Sequence, residues 1–106
     1  MEVQQELLGN WQVIRVIGEI DSKTVTTLRD FIDDKLVSDK AVALDLNKVP
    51  FMSSAGLRAL LTLQRKTSSM KVDLALIGVA QEIQDTMKVT GFLQYFKLYE
   101  SIESLP

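Results

Sequence analysis

The stretch of this chain best suited to chemistry is Val49-Pro50-Phe51-Met52-Ser53-Ser54-Ala55-Gly56-Leu57-Arg58-Ala59-Leu60-Leu61, where two hydroxyls, a small residue and a glycine lead into an apolar repeat. Residue types alone leave several readings open. Ser53 and Ser54 can cap a helix by accepting bonds from N–H groups that have no partner within it, with Ala55 and Gly56 permitting tight packing. The segment could be a phosphate-binding loop, although it has one glycine, lacks the Gly-x-x-x-x-Gly-Lys-Ser/Thr spacing, and has its cation, Arg58, already inside the helix. It also stands where a strand exit meets a helix start, the edge of an α/β sheet at which ligands and partners meet a protein.

The remaining composition narrows the chemistry. With no histidine and no cysteine among 106 residues, the chain has no thiolate nucleophile, no imidazole acid or base, no Ser-His-Asp triad, no disulfide and no Cys/His zinc site. Twelve basic against 14 acidic side chains give a net charge of −2. That leaves no basic excess for nucleic acid and no polybasic membrane anchor. No apolar run is long enough to insert into a bilayer and the first residues lack a signal pattern, so the expected location is cytoplasmic. Asp45, inside an apolar run, needs hydrogen-bonding partners rather than a catalytic role. Asp33, Asp34 and the charges that follow read as a solvated helix face, and Trp11 as sheet packing.

The elements that must position the serines follow from periodicity. Two apolar-rich segments flanking Gly9-Asn10 predict an opening hairpin. Asp21 is placed to cap a helix over about 22–37, in which Val25, Leu28, Ile32 and Leu36 recur at spacings of three and four. Residues 41–46 and 72–77 have the near-continuous apolar pattern of strands covered on both faces. A second helix is expected from Ser53 or Ser54 to about Lys66, and a third around Ile83 and Met87 with Gly91 capping its end. A short strand over 95–99 and a terminal helical turn complete the order ββαβαβαβα. The expectation is a single α/β domain over 1–106, with one mixed sheet, an opening hairpin followed by parallel strands, and about four helices.

With these residues in place, the chain is similar to the STAS domains of the anti-sigma factor antagonist family. Phe51-Met52-Ser53-Ser54-Ala55-Gly56-Leu57 resembles that family's Asp-Ser-Ser/Ala-Gly-Leu motif, and Gly18-Glu19-Ile20-Asp21 its Gly-Glu-Leu-Asp. Gly78-Val79, Thr90-Gly91-Phe92 and the 99–103 tail follow its later pattern. The resemblance implies a non-enzymatic regulator without a cofactor. In such proteins a serine, here Ser54, is phosphorylated by a partner that is both anti-sigma factor and serine kinase, and is reset by a serine phosphatase. The unphosphorylated form binds the kinase and frees the sigma factor. The implied partner surface comprises Asp21, Met52, Ser53, Ser54, Ala55, Gly56 and Arg58, on a monomer or weak homodimer. Ser53 stands where many members carry Asp, and Ala55 where they carry a second hydroxyl. The alternatives are an accessory subunit of a membrane transport system and a small-nucleotide-binding regulatory module.

Overall fold

The computed structural model describes all 106 residues. Gly9 and Asn10 form the two-residue turn between β1 (Glu2–Leu8) and β2 (Trp11–Ile17), with Leu8 opposite Trp11. The chain then runs through α1 (Val25–Lys35), β3 (Ala41–Lys48), α2 (Ser54–Met70), β4 (Leu74–Ile77), α3 (Gln81–Val89) and β5 (Lys97–Tyr99). The strands lie in sequence order in one sheet, β1 antiparallel to β2 and the others parallel. Because every parallel crossover steps in the same direction, right-handed connections put all three helices on one face. Between helices and sheet lies a cluster of 19 buried residues, including Ile14, Leu44, Leu46, Leu60, Leu76 and Met87. On the opposite face Val13, Ala43 and Ile77 are covered by Trp11, Ile102 and Leu105. The Trp11 indole N–H donates to the Pro106 carbonyl at 3.3 Å.

Several boundaries differ from the expected ones, each for a local reason. The regular part of α1 starts at Val25 rather than near residue 22, because Asp21 to Thr24 form a reciprocal capping turn of their own. The Asp21 carboxylate accepts from the Lys23 and Thr24 N–H groups, each at 2.9 Å, and the Thr24 hydroxyl accepts from the Asp21 N–H at 3.0 Å. The helix ends at Lys35 because Gln12, fully buried in β2, takes the Val37 N–H at 2.9 Å and donates to the Val37 and Lys40 carbonyls. A buried amide whose donors and acceptor are all engaged is cheap to bury. At α2 the helix runs a turn beyond Lys66, with Thr67 buried and its hydroxyl donating to the Gln64 carbonyl. Val72 gives its N–H to the Thr67 carbonyl to close that helix, so β4 starts only at Leu74. Leu93–Tyr95 forms a 3-10 turn, which shortens β5 to three residues.

The helices number three, and the expected fourth is a 3-10 turn over Ile102–Ser104. Gly91, with φ +78°, ends α3 as its sequence position predicts: the Phe92 N–H reaches the Met87 carbonyl at 2.8 Å and the Gly91 N–H the Lys88 carbonyl at 3.2 Å. No helix is long and apolar enough to cross a membrane.

Candidate functional site

The two halves of the site are joined by main-chain bonds beyond the regular sheet. Past the end of β2 the Gly18 N–H donates to the Lys48 carbonyl at 3.0 Å, and the Ile20 N–H to that of Phe51 at 3.0 Å. The Ser53 N–H returns a bond to the Ile20 carbonyl at 2.9 Å. These bonds form an isolated parallel bridge, Ile20 with Met52. Asp21, one residue past Ile20, therefore stands across a hydrogen-bonded junction from the serines.

Gly56 makes that junction close. A Cβ on Gly56 would lie 2.5 Å from Met52 Cγ, 2.9 Å from Ile20 Cγ2 and 3.2 Å from the Ile20 carbonyl oxygen. The first turn of α2 therefore rests directly on the bridge.

Around this junction the side chains divide sharply. Met52 is 7% exposed and belongs to the core, and Gly56 is buried. Gly56 sets the position of the serines from below, and Met52 does the same while also lining a groove beside Phe51. Ser54 and Arg58 are exposed, while Ser53, Ala55 and Asp21 are half-buried. The exposed apolar residue that the sequence reading missed is Phe51, half of whose surface faces solvent. With Pro50 and Met52 it lines that groove, whose other wall is Glu82, Ile83 and Thr86 of α3. An aromatic beside two hydroxyls was a visible signal, but which of Phe51 and Met52 turns inward is decided by pairing with the distant Ile20.

Ser53 holds the N-cap position, with φ −82° and ψ 177°, yet its side chain makes no cap bond, and its Oγ is buried with no hydrogen-bond partner. The capping reading therefore fails for this hydroxyl. Ser53→Ala should leave stability unchanged or raise it in urea denaturation, where loss of a working cap would cost ~1 kcal/mol. The first bond from an N–H within α2 to a carbonyl on its N-terminal side is from Leu57 to Ser53, at 3.1 Å, so the N–H groups of Ser54, Ala55 and Gly56 have no intrahelical partner. No acidic residue occupies this first turn, and Arg58 is in no ion pair. One turn separates Arg58 from Ser54, which puts both on one helix face. Ser54 therefore has free N–H groups and an unpaired cation on its own helix, with the Asp21 carboxylate across the junction.

Hydrogen bonds from the Thr24 and Lys23 N–H groups hold the Asp21 carboxyl below the ordinary value of 3.8. Since the folded pKa is the lower one, the cap contributes fully above pH 3.8 and is lost as pH falls through the folded value. Carbon-13 titration of the side chain should place its midpoint below 3.8, and a midpoint at or above that value would contradict the capping turn. Asp45 is hydrogen-bonded, as its position required: its carboxylate accepts from the Asn47 main-chain and side-chain N–H groups and lies 3.5 Å from Arg15. No cluster of three or more His, Cys, Asp or Glu side chains is placed to hold a metal ion.

Comparison with known proteins identifies the family and the fold. The STAS domain profile matches residues 2–105. BtrV of Bordetella bronchiseptica, named as a candidate anti-sigma factor antagonist, is 29% identical over 66 residues, which are 62% of this chain and 57% of that protein. An anti-sigma factor antagonist from Mycobacterium paratuberculosis superposes with a TM-score of 0.85 at 24% identity, over 96% of this chain and 87% of that one. SpoIIAA superposes in its unphosphorylated form with a TM-score of 0.77 at 19% identity, over 97% of this chain and 92% of that one. In its phosphorylated form, solved as a Bacillus cell fate determinant, the TM-score is 0.65 at 18% identity, over 97% and 96%.

Proposed function

The chain belongs to the STAS domain family, and from that premise we propose that it is a phosphorylatable anti-sigma factor antagonist acting by partner switching. Its fold is that of the anti-sigma factor antagonists. In the proposed cycle the unphosphorylated chain binds a protein that is both anti-sigma factor and serine kinase, and so releases the sigma factor. Phosphorylation of Ser54 ends that binding, and a serine phosphatase restores it. The chain itself catalyses nothing; it supplies the acceptor hydroxyl and the surface around it.

The observation that carries this reading is the placement of Ser54. It is the exposed hydroxyl at the N-terminus of a 17-residue helix, beside three unpaired N–H groups and one turn from an unpaired Arg58. A phosphate adds about −1.5 to −2 of charge at neutral pH. At a helix N-terminus that charge is favourable by about 0.3–1 kcal/mol, and Arg58 can meet it with charge-assisted hydrogen bonds. The junction below, locked by Met52, Ile20 and Gly56, does not need to move. The modified protein should therefore stay folded while its surface gains negative charge. Asp21, Ser53, Ala55 and the exposed Phe51 would frame the hydroxyl in the partner interface.

Incubation with the cognate kinase and ATP, followed by mass spectrometric site mapping, tests the assignment. Phosphate should be found on Ser54. Its appearance on Ser53, Ser68 or Ser69 with Ser54 unmodified would refute it.

A further inference from the structure

We propose that two copies of this chain associate through the outer edge of β1, continuing the sheet from one copy into the other about a two-fold axis at Gln5. β1 is an end strand of the sheet, seven residues long, and β5, the other edge, has only three residues and begins with a lysine. A long edge strand carries a row of unpaired main-chain groups that can template another strand. Which groups these are follows from the register. Leu8 and Trp11 close a two-residue turn, so Leu8, Glu6, Gln4 and Glu2 exchange bonds with β2. The N–H and C=O groups of Val3, Gln5 and Leu7 point away from the sheet.

Antiparallel pairing of β1 with its own copy, centred on Gln5, uses every one of these groups. Val3 falls opposite the second copy's Leu7, Gln5 opposite its own counterpart, and Leu7 opposite Val3. All three positions have outward main-chain groups, so all are hydrogen-bonded pairs, and the parity that an antiparallel ladder requires is met. The side chains match in the same register. On the helix-covered face Leu7, 55% exposed in the single chain, is covered by Val3 of the other copy. On the opposite face Gln4 meets Glu6, and Glu2 meets Leu8, so no carboxylate stands directly across from another. Glu6 is already neutralised by Arg15 at 2.6 Å.

The association should be weak, because the contact is one strand wide and far smaller than a standard interface. It leaves both Ser54 sites free. The two-fold axis reverses the strand direction between copies, so the two serines lie at opposite ends of a ten-stranded sheet.

Analytical ultracentrifugation of the full chain over micromolar to millimolar concentration should show the mass rising from 11.9 kDa towards twice that value. Leu7→Pro removes an outward N–H without touching the ladder to β2, and Leu7→Lys adds charge to the pair with Val3; both should remain at the single-chain mass. If the proline variant fails to fold by circular dichroism, the lysine variant decides. The chain has no cysteine, so Gln5→Cys places its one thiol on the axis. Cα atoms about 5.5 Å apart in a hydrogen-bonded pair suit a disulfide. Under mild oxidation it should cross-link at least tenfold faster than Lys88→Cys on the exposed side of α3. A wild-type mass that stays at 11.9 kDa throughout, Leu7 variants that associate like wild type, or equal cross-linking rates would each overturn the proposal.

Discussion

Replacing Gly56 by valine should lower the melting temperature by roughly 10 °C or more. The glycine faces two contacts that a side chain cannot share, Met52 Cγ at 2.5 Å and Ile20 Cγ2 at 2.9 Å from the Cβ position. Met52 can rotate a little, but Ile20 is fully buried and its carbonyl oxygen, 3.2 Å from the same point, is engaged by Ser53. Overpacking of this kind costs about 1–3 kcal/mol, and the β-branched valine stands at the upper end. The gain in helix propensity on losing a glycine returns at most ~1 kcal/mol. Each net kcal/mol is worth ~4–8 °C in a domain of this size. Gly56→Ala should fall between wild type and valine. Because relief requires the first turn of α2 to lift from the bridge, both variants should also bind the partner more weakly at temperatures where they remain folded. Differential scanning calorimetry with binding at low temperature checks both parts, and an unchanged melting temperature for Gly56→Val would contradict the packed junction.

Ser54→Asp should weaken binding to the anti-sigma kinase about a hundredfold, while Ser54→Ala should bind as wild type does and resist inactivation by ATP. An interface closed over a neutral hydroxyl must desolvate any charge placed there, and an unpaired buried charge costs several kcal/mol. Each 1.4 kcal/mol is about tenfold in affinity. Within the free chain the same aspartate is harmless or mildly stabilising, since it meets the unpaired N–H groups of the first turn of α2 and Arg58 one turn on. The loss of affinity should thus come without loss of fold, which circular dichroism and isothermal calorimetry can separate. Aspartate has half a phosphate's charge and a different shape, so the modified chain itself should lose more.

Much of this architecture is legible in the sequence because its signals are local. Gly9-Asn10 between apolar segments makes the hairpin, the runs at 41–46 and 72–77 have the pattern of covered strands, and Asp21 before a three-four apolar repeat is a cap. What escaped depends on distant partners. Gln12 reads as a polar interruption in β2, but its amide ends α1 by taking Val37 across 25 residues of chain. Thr67 carries α2 past the point where its leucines stop: it continues their spacing, four residues after Leu63, but its hydroxyl hides a buried position. At the site, Ser53 has the residue type of a cap without making the bond, because an N-cap's function lies in a rotamer. Met52 and Phe51 are interchangeable in a loop until the Ile20 bridge selects which is buried. The position of Ser54 was legible, since a hydroxyl, a glycine and an apolar repeat mark a helix start on their own.

Titration calorimetry of the cognate anti-sigma kinase with two samples of this chain, one unmodified and one homogeneously phosphorylated at Ser54, tests the switch most directly. The account predicts tight binding of the first and a loss of a hundredfold or more for the second, with matching circular dichroism spectra. Equal affinities for the two folded forms would contradict partner switching and leave the transport-accessory role as the stronger reading of this surface.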